Sequence, residues 1–116
     1  MIQRAFPQVH IRIGRALGTV VVTVRGVLDD RSLGRLDRVL ADLIEGQGNL
    51  RVAVDLSDAE THGAEGVDVF QTSAERSRQH GGSLVLQMPR DPLAEGLRKA
   101  GLGDLVRMSQ HGVAAG

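Results

Sequence analysis

An α/β fold built on one mixed sheet is predicted by three features of this 116-residue sequence. A segment of alternating apolar residues and a β-branched segment lie close together near the start. Strand-like and helix-like periods then alternate through the second half, and glycines or an Asp-Pro pair mark the boundaries. Strands alternating with helices pair in parallel through right-handed crossovers, whereas the first two, joined by a short connection, pair antiparallel. The expected architecture is four to five strands packed with three to four helices.

Val9, Ile11 and Ile13 alternate with His10 and Arg12, and Thr19 to Arg25 (TVVVTVR) is β-branched almost throughout. Gly14 to Gly18 has the length of a hairpin loop, so these two strands open the fold. Leu33, Leu36, Val39, Leu40, Leu43 and Ile44 recur at steps of three and four, the stripe of an amphipathic helix, with Arg31, Arg35, Arg38 and Asp42 facing elsewhere. Gly46 is expected to close that helix in the left-handed cap position.

Leu50, Val52, Val54 and Leu56 read as a third strand that ends on a loop at Asp55-Leu56-Ser57. Val67, Phe70 and Ala74 mark a second helix that runs to His80 and stops at Gly81-Gly82, with Phe70 expected against the sheet. Ser83 to Met88 (SLVLQM) is a fourth strand. Asp91 then stands as a capping acid before Pro92 at the first position of a third helix, which buries Leu93 and Leu97 and ends at Gly101. Leu105, Val106 and Met108 fit a short last strand, and Ser109 to Gly116 a frayed tail. Phe6 lies in the leading segment, outside the core.

Composition bounds what such a domain does. A chain of this length buries about two-thirds of its unfolded surface, enough for a single domain over residues 1–116 with its core at about 9–108. There is no cysteine, which excludes disulfides and thiolate chemistry and fits a cytoplasmic setting. Fourteen basic residues balance fourteen acidic ones, and Phe6 and Phe70 are the only aromatics. Nucleic acid is therefore not an expected partner, since both the electrostatic and the stacking contributions are missing. Neither a membrane-spanning run nor a secretory leader is legible, so no membrane insertion is expected.

Candidate chemistry concentrates around the end of the third strand. Asp55, Asp58, Glu60 and His62 could be ligands for a hard cation, but their spacing matches no metal motif, and solvation explains acids on a loop equally well. His10, His62, His80 and His111 have no Gly-x-Ser-x-Gly elbow beside them, which argues against a nucleophilic triad. Arg31, Arg35 and Arg38 could form a basic strip for an acidic partner or a merely solvated helix face. No cofactor, metal or catalytic residue is expected.

The order of elements meets three sequence marks. Gly26-Val27-Leu28-Asp29 resembles a Gly-x-Leu-Asp turn, Asp55-Leu56-Ser57 an Asp-Leu-Ser strand end, and Leu97 through Gly101-Leu102 to Leu105 a closing Leu…Gly-Leu…Leu segment. Together they resemble the STAS domains of bacterial anti-sigma factor antagonists over about residues 9 to 108. That resemblance implies a non-enzymatic protein-interaction module whose partner is an anti-sigma factor or related kinase-like regulator, and a homodimer is compatible with it.

In that family a serine at the start of the second helix, within Asp-Ser-Ser-Gly-Leu, is phosphorylated by the partner kinase. The aligned residues here are Gly63-Ala64-Glu65-Gly66-Val67, so the acceptor position falls on Ala64 and its neighbour on Glu65, while Gly66 and an apolar residue remain. The resemblance thus implies an interface formed by Asp29, Ser57, Gly63, Ala64, Glu65 and Gly66, with no phosphoacceptor at the family position. Ser57, Thr61 and Ser73 are the nearest hydroxyls. Ser57 is a weak alternative acceptor in the loop and better suits a turn-stabilising role. Glu65 is read either as a first-turn acid favoured by the helix dipole or as a partial imitation of a phosphoserine. Asp29 doubles as a cap for the first helix. Two other functions fit the same edge: a small-ligand or nucleotide sensor, with Gly63 and Gly66 admitting a phosphate, and an accessory STAS subunit of a transport system.

Overall fold

The computed structural model describes residues 9–63 and 65–108. The expectations for Phe6, for Ala64 and for the 109–116 tail lie outside these residues. In chain order the elements are β1 (His10–Ala16), β2 (Thr19–Val27), α1 (Asp30–Ala41), β3 (Arg51–Glu60), α2 (Val67–Gln79), β4 (Ser83–Gln87), α3 (Leu93–Lys99) and β5 (Val106–Arg107). The five strands form one sheet in the order β1-β2-β3-β4-β5; the first pair is antiparallel and the others are parallel. This is the mixed sheet with three helices that the alternation of periods predicts.

The sheet alternation sorts residues by face. Val20, Val22 and Val24 of β2, Val52, Val54 and Leu56 of β3, and Leu84 and Leu86 of β4 are buried under Leu33, Leu36 and Leu40 of α1, Phe70 of α2 and Leu93 and Leu97 of α3. Phe70 is fully buried, as its place on the helix stripe requires. Arg76 ties α2 to α1 through Asp37 at 3.0 Å and to Glu45 at 3.8 Å, in a half-buried site where the pair is less screened than on an open surface. Ser73 and Ser77 also lie on the core face of α2, and their hydroxyls have no hydrogen-bond partner among the described residues.

Four local expectations are corrected. The hairpin is tighter than the Gly14 to Gly18 loop: Ala16 pairs with Thr19, and Leu17 (φ 54°) and Gly18 (φ 81°) make a two-residue turn with positive φ at both positions. Such turns match the twist of the flanking strands. Gly46 does not provide the left-handed cap. A π turn, Asp42–Gly46, continues α1, and a Cβ on Gly46 would stand 2.7 Å from Asp42 Oδ1, whereas the positive φ falls on Gly48 (72°). Leu50 lies outside β3 and is 53% exposed. Pro92 flanks α3 rather than beginning it, and Asp91 Oδ1 accepts the Glu95 N–H at 3.1 Å.

The largest departure concerns β3, which does not end at Ser57 but runs on to Glu60. Thr23 pairs with Asp55 and Arg25 with Asp58, so β3 carries one residue more than β2 over this stretch, a β-bulge. Its physical cause is visible in Asp55, whose Oδ1 accepts the Ser57 N–H at 3.0 Å and the Ser57 hydroxyl at 2.8 Å. The local side chain takes up a backbone donor that the bulge withdraws from the ladder. Beyond the bulge the alternation changes parity, and Ala59 becomes the buried position.

Candidate functional site

Parallel pairing of β2 and β3 brings both chain exits to the same edge of the sheet. Val27 pairs with Glu60, and the Leu28 N–H donates to the Glu60 carbonyl at 2.8 Å. From β2 the chain turns into α1 at Asp29; from β3 it passes through Thr61 to Glu65 into α2. The Gly26–Asp29 turn and the segment that follows β3 are thereby neighbours.

At the first exit, Asp29 caps α1. Its Oδ1 accepts the Ser32 N–H at 2.9 Å, and the Asp29 N–H donates back to Ser32 Oγ at 2.8 Å, a reciprocal box that satisfies two donors. The hydrogen bonds from Ser32 hold the Asp29 carboxyl below its ordinary value of 3.8. It is therefore a fixed negative charge on an exposed residue.

At the second exit, the Thr61 hydroxyl donates to the Gly63 carbonyl at 2.9 Å, and Glu65 Oε1 accepts the Gly63 N–H at 2.6 Å. The first residue of α2 is Val67, with Gly66 as its N-cap. Glu65 thus precedes the helix instead of occupying its first turn, and its carboxylate is engaged with Gly63. Gly66 has φ 101°, and a Cβ there would lie 3.2 Å from Leu33 Cδ2, 3.6 Å from Phe70 Cε2 and 3.8 Å from Leu93 Cδ1. Glycine serves two needs, a backbone conformation that other residues resist and a close approach of α2 to α1. Asp29, Gly63, Glu65 and Gly66 are accordingly assembled on one edge, with His62 exposed between them. Ala64, the sixth residue of the expected interface, lies outside the described residues.

This arrangement removes the support for phosphate binding at the edge. The free side of Gly66 faces the core, and Glu65 covers Gly63 with a carboxylate, so Asp29 and Glu65 present negative charge where an anion would need donors. The acids that suggested a cation site are likewise dispersed: Asp55 bonds Ser57, Asp58 pairs with Arg25 at 3.3 Å, and Glu60 with Arg90 at 3.6 Å. Among the described residues no three His, Asp or Glu side chains converge as a metal site.

Ser57 lies within β3 rather than at the start of α1 or α2. It sits in the bulge and lines a cleft of about 580 Å³ with Met88, Pro89, Arg90, Ala94, Arg98, Val106 and Met108 among its walls. The two arginines of this cleft are neutralised, Arg90 by Glu60 and Arg98 by Glu95. Sequence reasoning missed this cleft, since its walls come from β3, α3, β5 and the loop after β4. Ser73 is fully buried and inaccessible to a kinase in the folded chain.

Residues 11–107 match the family model described as Mlab, STAS domain. Among curated proteins no sequence match was found. Solved structures that share the fold include the following three. An anti-sigma factor antagonist from Mycobacterium paratuberculosis is 19% identical, with 93% of each chain covered and a TM-score of 0.75. The Bacillus cell fate determinant SpoIIAA in its phosphorylated form is 14% identical, with 91% of this chain and 98% of that one covered and a TM-score of 0.74. A serine-to-glutamate variant of Moorella thermoacetica RsbS is 21% identical, with 90% of this chain and 92% of that one covered and a TM-score of 0.71. Among the described residues no helix is long and apolar enough to cross a membrane.

Proposed function

This chain belongs to the STAS domain family, and on that premise we propose that it is a non-enzymatic, cytoplasmic interaction module. Its partner is a kinase-like anti-sigma factor or a related regulator. The observation that carries this reading is the joining of two helix starts at one sheet edge, where Leu33 packs on Gly66 and Asp29 and Glu65 stand exposed. A surface whose two helix starts pack on each other and whose rim is charged suits protein docking, because its charges select the partner. Structural relatives described as anti-sigma factor antagonists support the same reading.

The contact residues of this proposal are Asp29, Gly63, Ala64, Glu65 and Gly66. Ala64 has no oxygen to accept a phosphoryl group, so the module is constitutive at the position where family members are switched. Ser57 is assigned to the bulge, where Asp55 already holds its hydroxyl.

Affinity capture from extract of the source cells tests the proposal. The unaltered chain should retain a regulator that Glu65→Arg releases, while Arg51→Glu, at the opposite end of β3, leaves capture intact. Equal retention by both variants would overturn the choice of edge. A second reading is an accessory STAS subunit of a transport system, and a membrane-transport component as the captured protein would decide for it.

A further inference from the structure

The distribution of ion pairs divides this electrically neutral chain into two unlike sides. Arg25, Arg76, Arg78, Arg90 and Arg98 each meet a carboxylate. Arg107 bonds the carbonyls of Asp104 and Val106, and Arg51 stands exposed at the start of β3. Arg12 and Arg15 of β1 and Arg31, Arg35 and Arg38 of α1 meet no carboxylate among the described residues, and all five are exposed. The segment that precedes β1, residues 1–8, contains no acid that could compensate them.

Three of these, Arg12, Arg35 and Arg38, line two neighbouring clefts. A cleft of about 500 Å³ at the start of β1 is lined by His10, Arg12, Arg25 and Arg35. Arg35 also lines a second cleft of about 290 Å³, with Ile13, Arg38, Val39 and Leu43. The first is cationic and the second largely apolar, with Ile13 55% exposed at its lip. Asp42, the carboxylate of the second cleft, is bonded to Gln47 at 2.8 Å. Both clefts lie along β1, which is seven residues long and an edge strand with β2 on one side and no strand on the other among the described residues. Such an edge presents backbone N–H and C=O groups to an incoming chain.

We propose that the groove between the free edge of β1 and α1 binds an extended acidic and apolar segment of a partner protein, added to the sheet as a strand next to β1. Main-chain hydrogen bonds to β1 would supply affinity, and the alternation of side chains along a strand would supply specificity. One set of side chains, acidic, meets Arg12 on the face turned away from α1, at the cleft whose rim Arg35 reaches from α1. The other, apolar, lies on the α1 face over Ile13, Val39 and Leu43. This surface is separate from the helix-start edge, so a single partner or two different ones can occupy both.

Fluorescence anisotropy with a labelled seven-residue peptide of alternating glutamate and valine, added to the full chain, tests the proposal. Saturable binding is expected, weakened at least about tenfold in the Arg12→Glu/Arg35→Glu variant and weakened by added salt. The lysine-valine peptide should not bind. Amide chemical-shift changes on adding the acidic peptide should run along His10–Ala16; if the double variant does not fold, this map and the salt dependence of the unaltered chain decide the matter. Equal binding of both peptides, absence of saturable binding, or undiminished binding by a folded variant would overturn the proposal. So would preferential binding of phosphatidylglycerol vesicles or duplex DNA over the acidic peptide, which would give the arginines to a membrane or to nucleic acid.

Discussion

Gly66 and Leu33 hold the two helix starts together: a Cβ on Gly66 would stand 3.2 Å from Leu33 Cδ2, at a backbone φ of 101°. Gly66→Ala therefore meets both an unfavourable conformation and a packed neighbour, and should cost on the order of 1–3 kcal/mol in urea unfolding. It should also weaken partner capture, because the spacing between Asp29 and Glu65 depends on that contact. An unchanged midpoint would mean that the start of α2 can shift freely on α1.

Phe70 is the one aromatic side chain in the described core, fully buried between α2 and the sheet. Truncation in Phe70→Ala leaves a cavity that neighbouring Leu33 and Leu93 can fill only partly, and should lower stability by about 3–5 kcal/mol. A large part of a total of roughly 5–15 kcal/mol would be lost. Thermal unfolding followed by circular dichroism measures this, and a small drop in Tm would contradict the packing described.

Asp29 gives the stability of α1 a pH dependence with a definite sign. Its native carboxyl titrates below the ordinary value of 3.8, because Ser32 bonds the charged form. The stabilisation is fully present above that ordinary value and disappears as the pH falls through the lower native one. The difference in Tm between the unaltered chain and Asp29→Ala should thus be constant near neutrality and close in acid below 3.8. A difference that persists there would mean that the protonated carboxyl still caps α1.

Ala64→Ser restores the hydroxyl at the family's acceptor position, and Gly63→Asp restores the acid before it. With the backbone around Gly66 intact, the double variant should accept phosphate from the kinase partner, read as a mass increase mapped to residue 64. The unaltered chain should remain unmodified. Phosphate found on Ser57 or Thr61 of the unaltered chain would refute the constitutive reading.

The periodicities made most of this fold legible. Leu33 to Leu40, Val20 to Val24 and Leu84 to Leu86 each bury the side that their spacing predicts, because one apolar stripe admits one orientation against a core. β3 was legible only as far as Leu56. The bulge at Ser57 reverses the alternation, and the following Asp58, Ala59 and Glu60 read as loop because two of the three are charged and exposed. The side-chain bonding of Asp55 to Ser57 was the available signal, since an acid two residues before a free backbone donor commonly bonds it.

Of the candidate site, the meeting of Asp29 with the segment after β3 followed from parallel pairing. The placement of Glu65 before the helix did not, since α2 begins only after the positive-φ residue Gly66. The Ser57 cleft and the β1 groove depend on side chains that are distant in sequence, such as Met88 with Met108 and Ile13 with Val39. No local pattern encodes such pairs.

The central claim, that the chain docks its partner through the two joined helix starts, is tested most directly by amide hydrogen exchange of the chain alone and in complex with the captured regulator. Slowed exchange concentrated at residues 28–33 and 60–67 is the predicted result. Unchanged exchange at both segments, with protection confined to the Ser57 cleft at residues 88–108, would contradict it.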